Sequence, residues 1–289
     1  MVKQTPDMPA YVGSEYDRLK KVVLCEPEHM TIKDVINETQ RHFLKEGIDI
    51  DKALEQHRNF VKTLEQYGVE VSLLPARGKY PEQVFTRDIG FTLGQTVFVA
   101  EMASRIRQGE EDVFKEWLEK ERISYFNLIG EKIEGGDIVI DRDTVYVGLS
   151  DRTNEKAAAH LKSLLPDHEV ITVPFTDKFL HLDCVFNVIS EDEALIFPGE
   201  IEPKALEYIK SRYHLIEVTK EEQFSLGTNV LCIGDKKIFS LTVNENVNRQ
   251  LEERGFEVIE VDITEIIKSG GAFRCCTLPV LRESPGLRG

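Results

Sequence analysis

Polar and thiol side chains recur at nearly constant spacing just before short apolar runs of this sequence. The residues that open these runs are Asp88, Asp137, Asp183, Asn229 and Cys275. The first step between them is 49 residues, and the next three steps are 46 residues each. Equivalent positions of repeated units face a common axis when the units surround that axis. We therefore expect these side chains to converge in one polar site that contains a thiol.

Three further polar residues, Arg87, Glu134 and His181, adjoin these openings. Carboxylates crowded into a partly dry site repel one another unless a cation lies among them. A metal ion could supply that cation, and so could a guanidinium, whose planar donors suit paired carboxylates. The thiol favours the guanidinium, because a thiolate beside a histidine is a nucleophile and a polarised guanidinium carbon is open to attack. The residues therefore predict thiol chemistry on a guanidino group, with neither a metal nor another cofactor.

The elements that must position these residues also repeat. Five short β-rich runs each follow a helix-like segment and precede one of the openings, at residues 69–74, 123–128, 169–173, 214–218 and 256–261. Three helical patterns, at residues 50–67, 153–165 and 244–254, end at Gly or Pro. A second strand follows the first in four of the five hairpins. Residues 21–25 (KVVLC) are β-rich and otherwise without a partner, so we expect them to complete the fifth unit and close a ring.

The repeat of helix, strand and hairpin predicts the fold class. Five such units give a five-bladed α/β propeller with pseudo-fivefold symmetry, with helices outside and hairpins lining the centre. No linker marks a boundary, so we expect a single domain over residues 1–289. A doubly wound sheet is the alternative, and it predicts strands followed by helices rather than by hairpins.

Composition limits the partners. The chain has 289 residues and a formal net charge of −15, which disfavours nucleic acid and anionic membranes but suits a small cationic ligand. No apolar run reaches the roughly 20 residues of a membrane helix, and residues 1–10 lack the apolar stretch of a secretory signal. We expect a cytoplasmic protein, and base rates make a homodimer plausible.

The five cysteines are odd in number and lack the CxxC spacing of a zinc site, so neither a disulfide framework nor a structural metal is indicated. Cys275 and Cys276 are adjacent, and neighbouring side chains on a strand point to opposite faces. The 46-residue step selects Cys275 for the site and leaves Cys276 as a packed core thiol. Cys25, Cys184 and Cys232 lie in apolar runs and are interpreted as core residues.

Four motifs in order carry a family resemblance: FTRD at residues 85–88, EGGD at 134–137, HLD at 181–183 and GGAFRC at 270–275. Together they resemble the guanidino-group-modifying enzymes of the pentein superfamily, and SEYDRLKKVVLCEP at 14–27 is similar to the opening strand of that family. The similarity covers nearly the whole chain. Length makes dimethylarginine dimethylaminohydrolase the nearest relative, because arginine deiminases and amidinotransferases are generally longer.

The resemblance implies a role for each matching position in the chemistry. Cys275 matches the nucleophile, which attacks the guanidinium carbon and expels an amine to leave a covalent thiouronium-type intermediate. His181 matches the general acid and base, which protonates the leaving amine and then activates the hydrolytic water. Glu134 matches the carboxylate that completes this set and holds the imidazole or the guanidinium.

The resemblance also implies residues that bind the substrate. Asp88 matches the main guanidinium acceptor, and Asp183 matches a second acceptor found in arginine deiminases and amidinotransferases. Arg107 and Arg152 match the pair that binds the substrate α-carboxylate. Asp137 either contacts the substrate or caps the tight EGG turn, and the sequence leaves both open.

Two departures bear on the substrate. In dimethylarginine hydrolases the position of Asp183 is typically not a carboxylate, and the residue before Asp88 is usually acidic where this chain has Arg87. FTRD and HLD are more similar to arginine deiminase, whereas the length favours the other subfamily. Asp183 is expected to favour a free guanidine.

Three functions remain open. The first is metal-independent hydrolysis of the guanidino group of arginine or a methylated arginine, which gives citrulline and an amine or ammonia. The second is amidino transfer to an acceptor amine, and the third is a non-catalytic or metal-binding protein of the same fold.

Overall fold

A computed structural model describes residues 10–130 and 132–283. Residues 1–9, which make up most of the segment searched for a secretory signal, lie outside the described residues, as do residues 131 and 284–289. Within the described ranges, no helix is both long enough and apolar enough to cross a bilayer.

Fifteen strands in the described part of the chain form five sheets of three strands each. The strands are β1 (Arg18–Cys25), β2 (Glu70–Leu74), β3 (Gly90–Leu93), β4 (Thr96–Val99), β5 (Tyr125–Asn127), β6 (Ile138–Asp141), β7 (Thr144–Leu149), β8 (Glu169–Pro174), β9 (Phe186–Val188), β10 (Glu193–Ile196), β11 (His214–Glu217), β12 (Leu231–Gly234), β13 (Lys237–Ser240), β14 (Glu257–Glu260) and β15 (Leu278–Glu283).

Eight α-helices accompany these strands in the described ranges. They are α1 (Glu38–Phe43), α2 (Ile50–Gln66), α3 (Glu110–Glu121), α4 (Glu155–Leu164), α5 (Pro203–Arg212), α6 (Lys220–Phe224), α7 (Glu245–Glu253) and α8 (Thr264–Ile267). The three predicted helices are confirmed to within two residues at each end. Helix α4 begins after Asn154, whose side chain accepts a hydrogen bond from the Ala157 N–H (2.9 Å) and so caps the helix.

All five sheets share one topology. A middle strand pairs antiparallel with the first strand of the sheet and parallel with the third, as β4 does with β3 and β5. The parallel pairing requires a crossover connection, because a tight turn can join only antiparallel neighbours. A helix supplies it in every sheet; for example, α3 joins β4 to β5 and α4 joins β7 to β8.

The grouping of strands differs from the unit expected from the sequence. Each predicted β-rich run contains a strand, but that strand pairs with the hairpin that precedes it in the chain rather than with the one that follows. The crossover helix explains this, because it returns the chain to the sheet that it has just left. The expected pairing of residues 21–25 with the fifth unit is confirmed, since β1 pairs antiparallel with β15; β1 also pairs parallel with β2.

The turns that lead into the five sheets contact one another in cyclic order, and the last contacts the first. The contacts are Gly135 against the carbonyl oxygen of Arg87, the Leu182 N–H to Asp137 (2.9 Å), the Asn229 amide to the carbonyl oxygen of Asp183 (3.3 Å), the Cys275 N–H to Asn229 (3.1 Å) and the Arg87 N–H to the carbonyl oxygen of Cys275 (3.0 Å). Residues far apart in sequence therefore share one centre.

An aromatic cluster fixes the segment that carries Cys275. The ring of Phe60 in α2 packs edge-on against Phe273 and Phe239, with centroids 5.1 and 5.4 Å apart. Phe60 is fully buried, as is the neighbouring Leu64 one turn later on the same face of α2. Packing of this helix therefore positions the chain two residues before Cys275.

We predict that Phe60→Ala lowers the free energy of unfolding by about 3–5 kcal/mol, because it leaves a cavity between α2 and Phe273. Urea denaturation followed by circular dichroism measures this change. Lys62→Ala, on the exposed face of the same helix, is the control and should change stability by no more than about 0.5 kcal/mol. Equal stability of the two variants would contradict the packing described here.

Candidate active site

Apart from Arg107 and Arg152, the predicted site residues lie in or next to short turns that precede the first strand of a sheet. Asp88 belongs to the one-turn 3-10 helix Thr86–Ile89, while Glu134 and His181 immediately precede the similar turns Gly135–Asp137 and Leu182–Cys184. Cys275 also lies in a turn, ahead of β15. The argument from strand alternation therefore does not apply to the two adjacent cysteines.

The two glycines of EGGD allow these turns to approach closely. A Cβ atom at Gly136 would lie 2.7 Å from Oδ1 of Asp88 and 2.7 Å from the ring of His181. Real Cβ atoms essentially never show such distances, so any larger residue must displace one of these groups. Gly136 thus sets the separation between Asp88 and the imidazole.

His181 lies between two buried carboxylates. Its Nε2 atom is 2.8 Å from Oε2 of Glu134, and its Nδ1 atom is 3.4 Å from Oδ1 of Asp88. The other oxygen of Glu134 accepts the N–H of Ala103 (2.8 Å), which fixes the carboxylate. All three side chains are at most 4% exposed. Both ring nitrogens therefore face acceptors, as a protonated imidazole requires.

These neighbours shift the protonation of the imidazole. Burial favours the neutral ring, but the charge of Asp88 and the hydrogen bond to Glu134 outweigh it and raise the pKa of His181 well above its ordinary value. Burial likewise opposes ionisation of Glu134, yet the hydrogen bond and charge of His181 lower the pKa of Glu134. His181 is thus a cation at neutral pH and can act as an acid.

The Cys275 thiol is surrounded by an amide, a second thiol and a carboxylate. Nδ2 of Asn229 donates to Sγ at 3.1 Å, and the oxygens of Asp183 lie 3.7 and 3.8 Å from the same sulfur. A hydrogen bond with the Cys184 thiol, burial and the charge of Asp183 raise the pKa of Cys275 well above its ordinary value. The resting sulfur is therefore a thiol rather than a thiolate.

Asp183 belongs to a buried network of charges below the thiol. Its Oδ2 atom accepts a hydrogen bond from Arg274 (2.8 Å), and Arg274 also donates to Glu15 (2.9 Å). Arg87 lies 3.6 Å from Glu15, and burial together with the nearby charge of Arg274 lowers its pKa to about 10. One oxygen of Asp183, the predicted second guanidinium acceptor, is thus already bound to the guanidinium of Arg274.

Asp88 is bound to a protein guanidinium as well. Arg107 donates through Nη1 to Oδ2 of Asp88 (2.5 Å), through Nε and Nη2 to Glu110, and through Nη2 to the carbonyl oxygen of Phe85 (3.0 Å). The structure thus places Arg107 on the predicted guanidinium acceptor. Oδ1 of Asp88 is buried and accepts no hydrogen bond from the described residues.

Asp137 and Arg152 lie at the edge of this arrangement. Oδ1 of Asp137 accepts the N–H of Leu182 (2.9 Å), and Oδ2 accepts the hydroxyl of Ser150 (2.7 Å). Burial raises the pKa of Asp137 to about 7. Both carboxylate oxygens of Asp137 are thus bound to groups outside the EGG turn, at Leu182 and Ser150. The half-buried Arg152 is near enough to Glu134 to lower its pKa, and its guanidinium has no hydrogen-bond partner among residues 10–130 and 132–283.

A cavity of about 20 Å³ lies among the central groups. Asp88, Arg107, His181, Cys184 and Cys275 line it. A space of this size holds about one water molecule. The cavity adjoins a second one of about 460 Å³, and Cys184 borders both. The structure therefore brings the thiol, the imidazole and Asp88 to one water-sized space, whereas Cys276 packs in the core beside it.

Sequence reasoning missed three groups around this cavity. Cys184 was interpreted as a core thiol, but it borders the cavity beside Cys275; its position directly after HLD is the signal that could have identified it. Glu110 and Glu82 lie in no recognisable motif. Glu110 is only three residues after Arg107 in the chain, whereas tertiary packing brings Glu82 to this group. Burial raises the pKa of Glu110 to about 7 and that of Glu82 to about 8, while the charge of Arg107 opposes both shifts.

Asp88, Glu134 and His181 also form a group that could hold a metal ion, because one ligand atom from each lies within 4.8 Å of the others. Two carboxylates and an imidazole suit several divalent cations. A protonated His181 meets the same need for positive charge without a metal.

The fold and this constellation define the class of guanidino-group-modifying enzymes, the pentein superfamily. Residues 26–282 match the family model described as "N,N dimethylarginine dimethylhydrolase, eukaryotic", and the chain belongs to this family. It is thus a hydrolase of C–N bonds in guanidino compounds, as relatives named for dimethylarginine hydrolysis and arginine deimination support.

Three known proteins illustrate the similarity. The uncharacterized protein YkgA of Bacillus subtilis (strain 168) is 55% identical over 269 residues, which are 93% of this chain and 94% of that protein. The N(G),N(G)-dimethylarginine dimethylaminohydrolase of Pseudomonas aeruginosa is 26% identical over 258 residues, 85% of this chain and 98% of that protein.

The third is the N-terminal domain of ArgZ, an arginine dihydrolase from the ornithine–ammonia cycle in cyanobacteria. Its substrate-bound crystal structure has a TM-score of 0.83 at 26% identity and covers 91% of this chain and 98% of that domain. A second structure of the domain, with the same TM-score at 27% identity and with coverage of 91% and 98%, is covalently bonded to a reaction intermediate.

We predict that Glu82→Gln reduces the loss of stability at high pH. The pKa of Glu82 is about 8 in the folded protein and about 4.3 in an unfolded chain. The folded state therefore holds the Glu82 proton more tightly than the unfolded state does. The stability that this proton contributes is complete below the unfolded-state pKa of about 4.3 and is lost as pH rises through the folded-state pKa of about 8. The difference in Tm between Glu82→Gln and the wild type should increase from about pH 5 to about pH 9.

Differential scanning calorimetry across this pH range measures the effect. Gln at this position can keep the contacts with Gln40 and Ser269 that Glu82 now makes. Glu207→Gln, at an exposed position of α5, is the control and should show a Tm difference that does not change with pH. A constant difference for Glu82→Gln as well would contradict the raised pKa.

Proposed function

We propose that this chain hydrolyses the guanidino group of arginine or a methylated arginine through a covalent thiouronium intermediate, and gives citrulline plus ammonia or an amine. One observation carries the proposal: the thiol of Cys275, the imidazole of His181 and the carboxylate of Asp88 line the same small cavity. These are a nucleophile, an acid and an acceptor for a cation. The ArgZ domain that is covalently bonded to an intermediate supports the covalent step by analogy.

The same proposal includes a five-bladed α/β propeller in a single domain. Five sheets with one topology support it, as do the cyclic contacts between the turns that precede them. The pairing of β1 with β15 supports closure of the ring. The cytoplasmic location and the homodimer stay predictions.

Substrate binding activates the nucleophile in this mechanism. Without substrate, the raised pKa values leave Cys275 as a thiol and His181 as an imidazolium. A guanidinium beside the sulfur adds positive charge at the point where the carboxylates now favour the neutral thiol. It therefore lowers the pKa of Cys275, and the thiol loses its proton to solvent when the substrate binds.

In the first half of the reaction the thiolate of Cys275 attacks the guanidinium carbon. A C–S bond forms, and the carbon becomes tetrahedral. His181 then gives its Nδ1 or Nε2 proton to the departing nitrogen, the C–N bond breaks, and an amine or ammonia leaves. The product is a thiouronium bonded to Cys275 and a neutral imidazole, which Glu134 keeps oriented through the 2.8 Å contact.

In the second half the neutral imidazole accepts a proton from water, and the hydroxide attacks the thiouronium carbon. The C–S bond breaks with its electron pair going to sulfur, the hydroxyl proton moves to that sulfur and restores the Cys275 thiol, and the carbonyl of citrulline forms. The water-sized volume next to His181 and Cys275 supports this step. His181 thus ends protonated, as it began.

The geometry also supports assignments for substrate binding. Oδ1 of Asp88 can accept a guanidinium N–H, while Oδ2 exchanges Arg107 for the substrate. Asp183, within 3.8 Å of the sulfur, favours a nitrogen that still carries hydrogen, so arginine is the preferred substrate over a dimethylated arginine. Arg152 keeps its guanidinium available for the α-carboxylate, and Arg107 can join it once released from Asp88.

Trapping of the intermediate tests the nucleophile. Acid quench of the enzyme with arginine or a methylated arginine, followed by mass spectrometry of the denatured protein, should show an adduct on the peptide that contains residues 275–282. Cys275→Ser should abolish both the adduct and turnover, with loss of at least about 10³-fold in kcat, because no other group supplies the nucleophile. Cys276→Ser is the matched control and should retain both. An adduct that survives in Cys275→Ser would refute the assignment.

The products distinguish the reaction from its alternatives. We expect citrulline and ammonia from arginine in the absence of any acceptor amine. Ornithine formed only with an added amine would instead show amidino transfer, and ornithine formed from arginine alone would show the dihydrolase reaction for which ArgZ is named. Chelator treatment should leave kcat unchanged. If a chelator abolished turnover and a metal restored it, the group of Asp88, Glu134 and His181 would be a metal site.

A further inference from the structure

Cys184 and Cys275 place two sulfur atoms against one carboxylate. Sγ of Cys184 lies 3.7 Å from Oδ1 of Asp183, and Sγ of Cys275 lies 3.8 Å from the same oxygen. Both residues also line the same cavity of about 20 Å³. The proposed mechanism uses Cys275 and gives no task to Cys184.

The backbones around the two thiols are held together by one side chain. Nδ2 of Asn229 donates to the carbonyl oxygen of Asp183 (3.3 Å), next to Cys184, and Oδ1 of Asn229 accepts the N–H of Cys275 (3.1 Å). A disulfide needs the two sulfurs to approach to about 2.05 Å. Rotation of the two side chains about their Cα–Cβ bonds is the movement that such a bond would require, while Asn229 holds the chain segments.

Access favours a small oxidant. Both sulfurs line the cavity of about 20 Å³, and Cys184 also lines the cavity of about 460 Å³ beside it. Hydrogen peroxide is close in size to water, so it can reach this pair. A tripeptide disulfide such as oxidised glutathione is too large for the smaller cavity.

We infer that Cys184 and Cys275 are a redox pair that forms a reversible disulfide when a hydroperoxide reaches the cavity. One cysteine loses its proton, and its sulfur attacks the O–O bond and forms an S–O bond. The O–O bond breaks, the departing hydroxide takes up that proton and leaves as water, and the cysteine becomes a sulfenic acid. The thiol of the other cysteine then attacks that sulfur, an S–S bond forms, and a second water leaves. Two thiols and one peroxide thus give one disulfide and two waters.

The consequence for activity rests on the proposed function, because the disulfide removes the nucleophile. The pair also limits damage, since a sulfenic acid without a neighbouring thiol is oxidised further to sulfinic acid, which is not restored by thiols. Cys184 would thus keep inactivation reversible.

The other cysteines make different contacts. Cys276 is fully buried in the hydrophobic core, and Cys25 and Cys232 donate to the carbonyl oxygens of Glu26 and Ile189. In the described part of the chain, no contact of either Cys25 or Cys232 with another sulfur is seen. The pairing should therefore be specific.

Peptide mapping of the full chain tests the inference without any activity assay. The folded protein is treated with hydrogen peroxide, denatured in the presence of N-ethylmaleimide to block free thiols, and digested with trypsin. We expect a linked species that joins residues 179–204 to residues 275–282, two hydrogen atoms lighter than the sum of its peptides and lost after dithiothreitol. Cys276→Ser should give the same link, which assigns it to Cys275.

Cys184→Ser should give no link and should instead accumulate sulfinic acid at Cys275 at the same peroxide dose. Wild-type protein that shows sulfinic acid at Cys275 without the link would overturn the inference, and so would a link that Cys276→Ser abolishes. Because these readouts are masses, a failure here is separate from a failure of the proposed hydrolysis. Recovery of turnover by dithiothreitol in the wild type, but not in Cys184→Ser, then connects the two.

Discussion

Burial of negative charge is the constraint on which this site depends. Asp88 and Glu134 are almost completely removed from solvent, and such groups are stable only beside positive charge. His181 provides that charge from between them, and Arg107 adds to it. The same balance raises the pKa of the imidazole and prepares it to donate a proton. Acidity at His181 is thus a consequence of charge compensation rather than a separate feature.

The cyclic contacts between turns explain how five distant segments can meet that constraint. Each turn precedes a strand of its own sheet, and hydrogen bonds or close contacts link one turn to the next, including the hydrogen bond from Arg87 to Cys275 across the point where the first and last sheets meet. The short turns leave no room for side chains at Gly136. Precision at the site therefore comes from contacts between the turns of different sheets, which the crossover helices and their buried faces support.

The sequence predicts this architecture because the repeat is strong in two independent signals, the spacing of the openings and the β-rich runs. It also predicts that Cys275, His181, Glu134 and Asp88 meet. It does not reveal which hairpin each third strand joins, since the strand has one hairpin before it and one after it in the chain. The path of the crossover helix determines which of the two hairpins pairs with the strand. Nor does the sequence reveal Glu82, because a contact between loops far apart in the chain leaves no periodic pattern.

The pairing of Arg107 with Asp88 gives the resting enzyme an intramolecular competitor. A guanidinium attached to the chain has a high effective concentration at that carboxylate. A ligand that needs both oxygens of Asp88 can bind only to molecules in which Arg107 has moved away, so its apparent affinity equals its intrinsic affinity multiplied by the fraction of such molecules. Ligands that offer Arg107 a carboxylate of their own recover part of this loss. In the proposed function, the internal ion pair would thus discriminate between amino acids and simple guanidines before any chemistry begins.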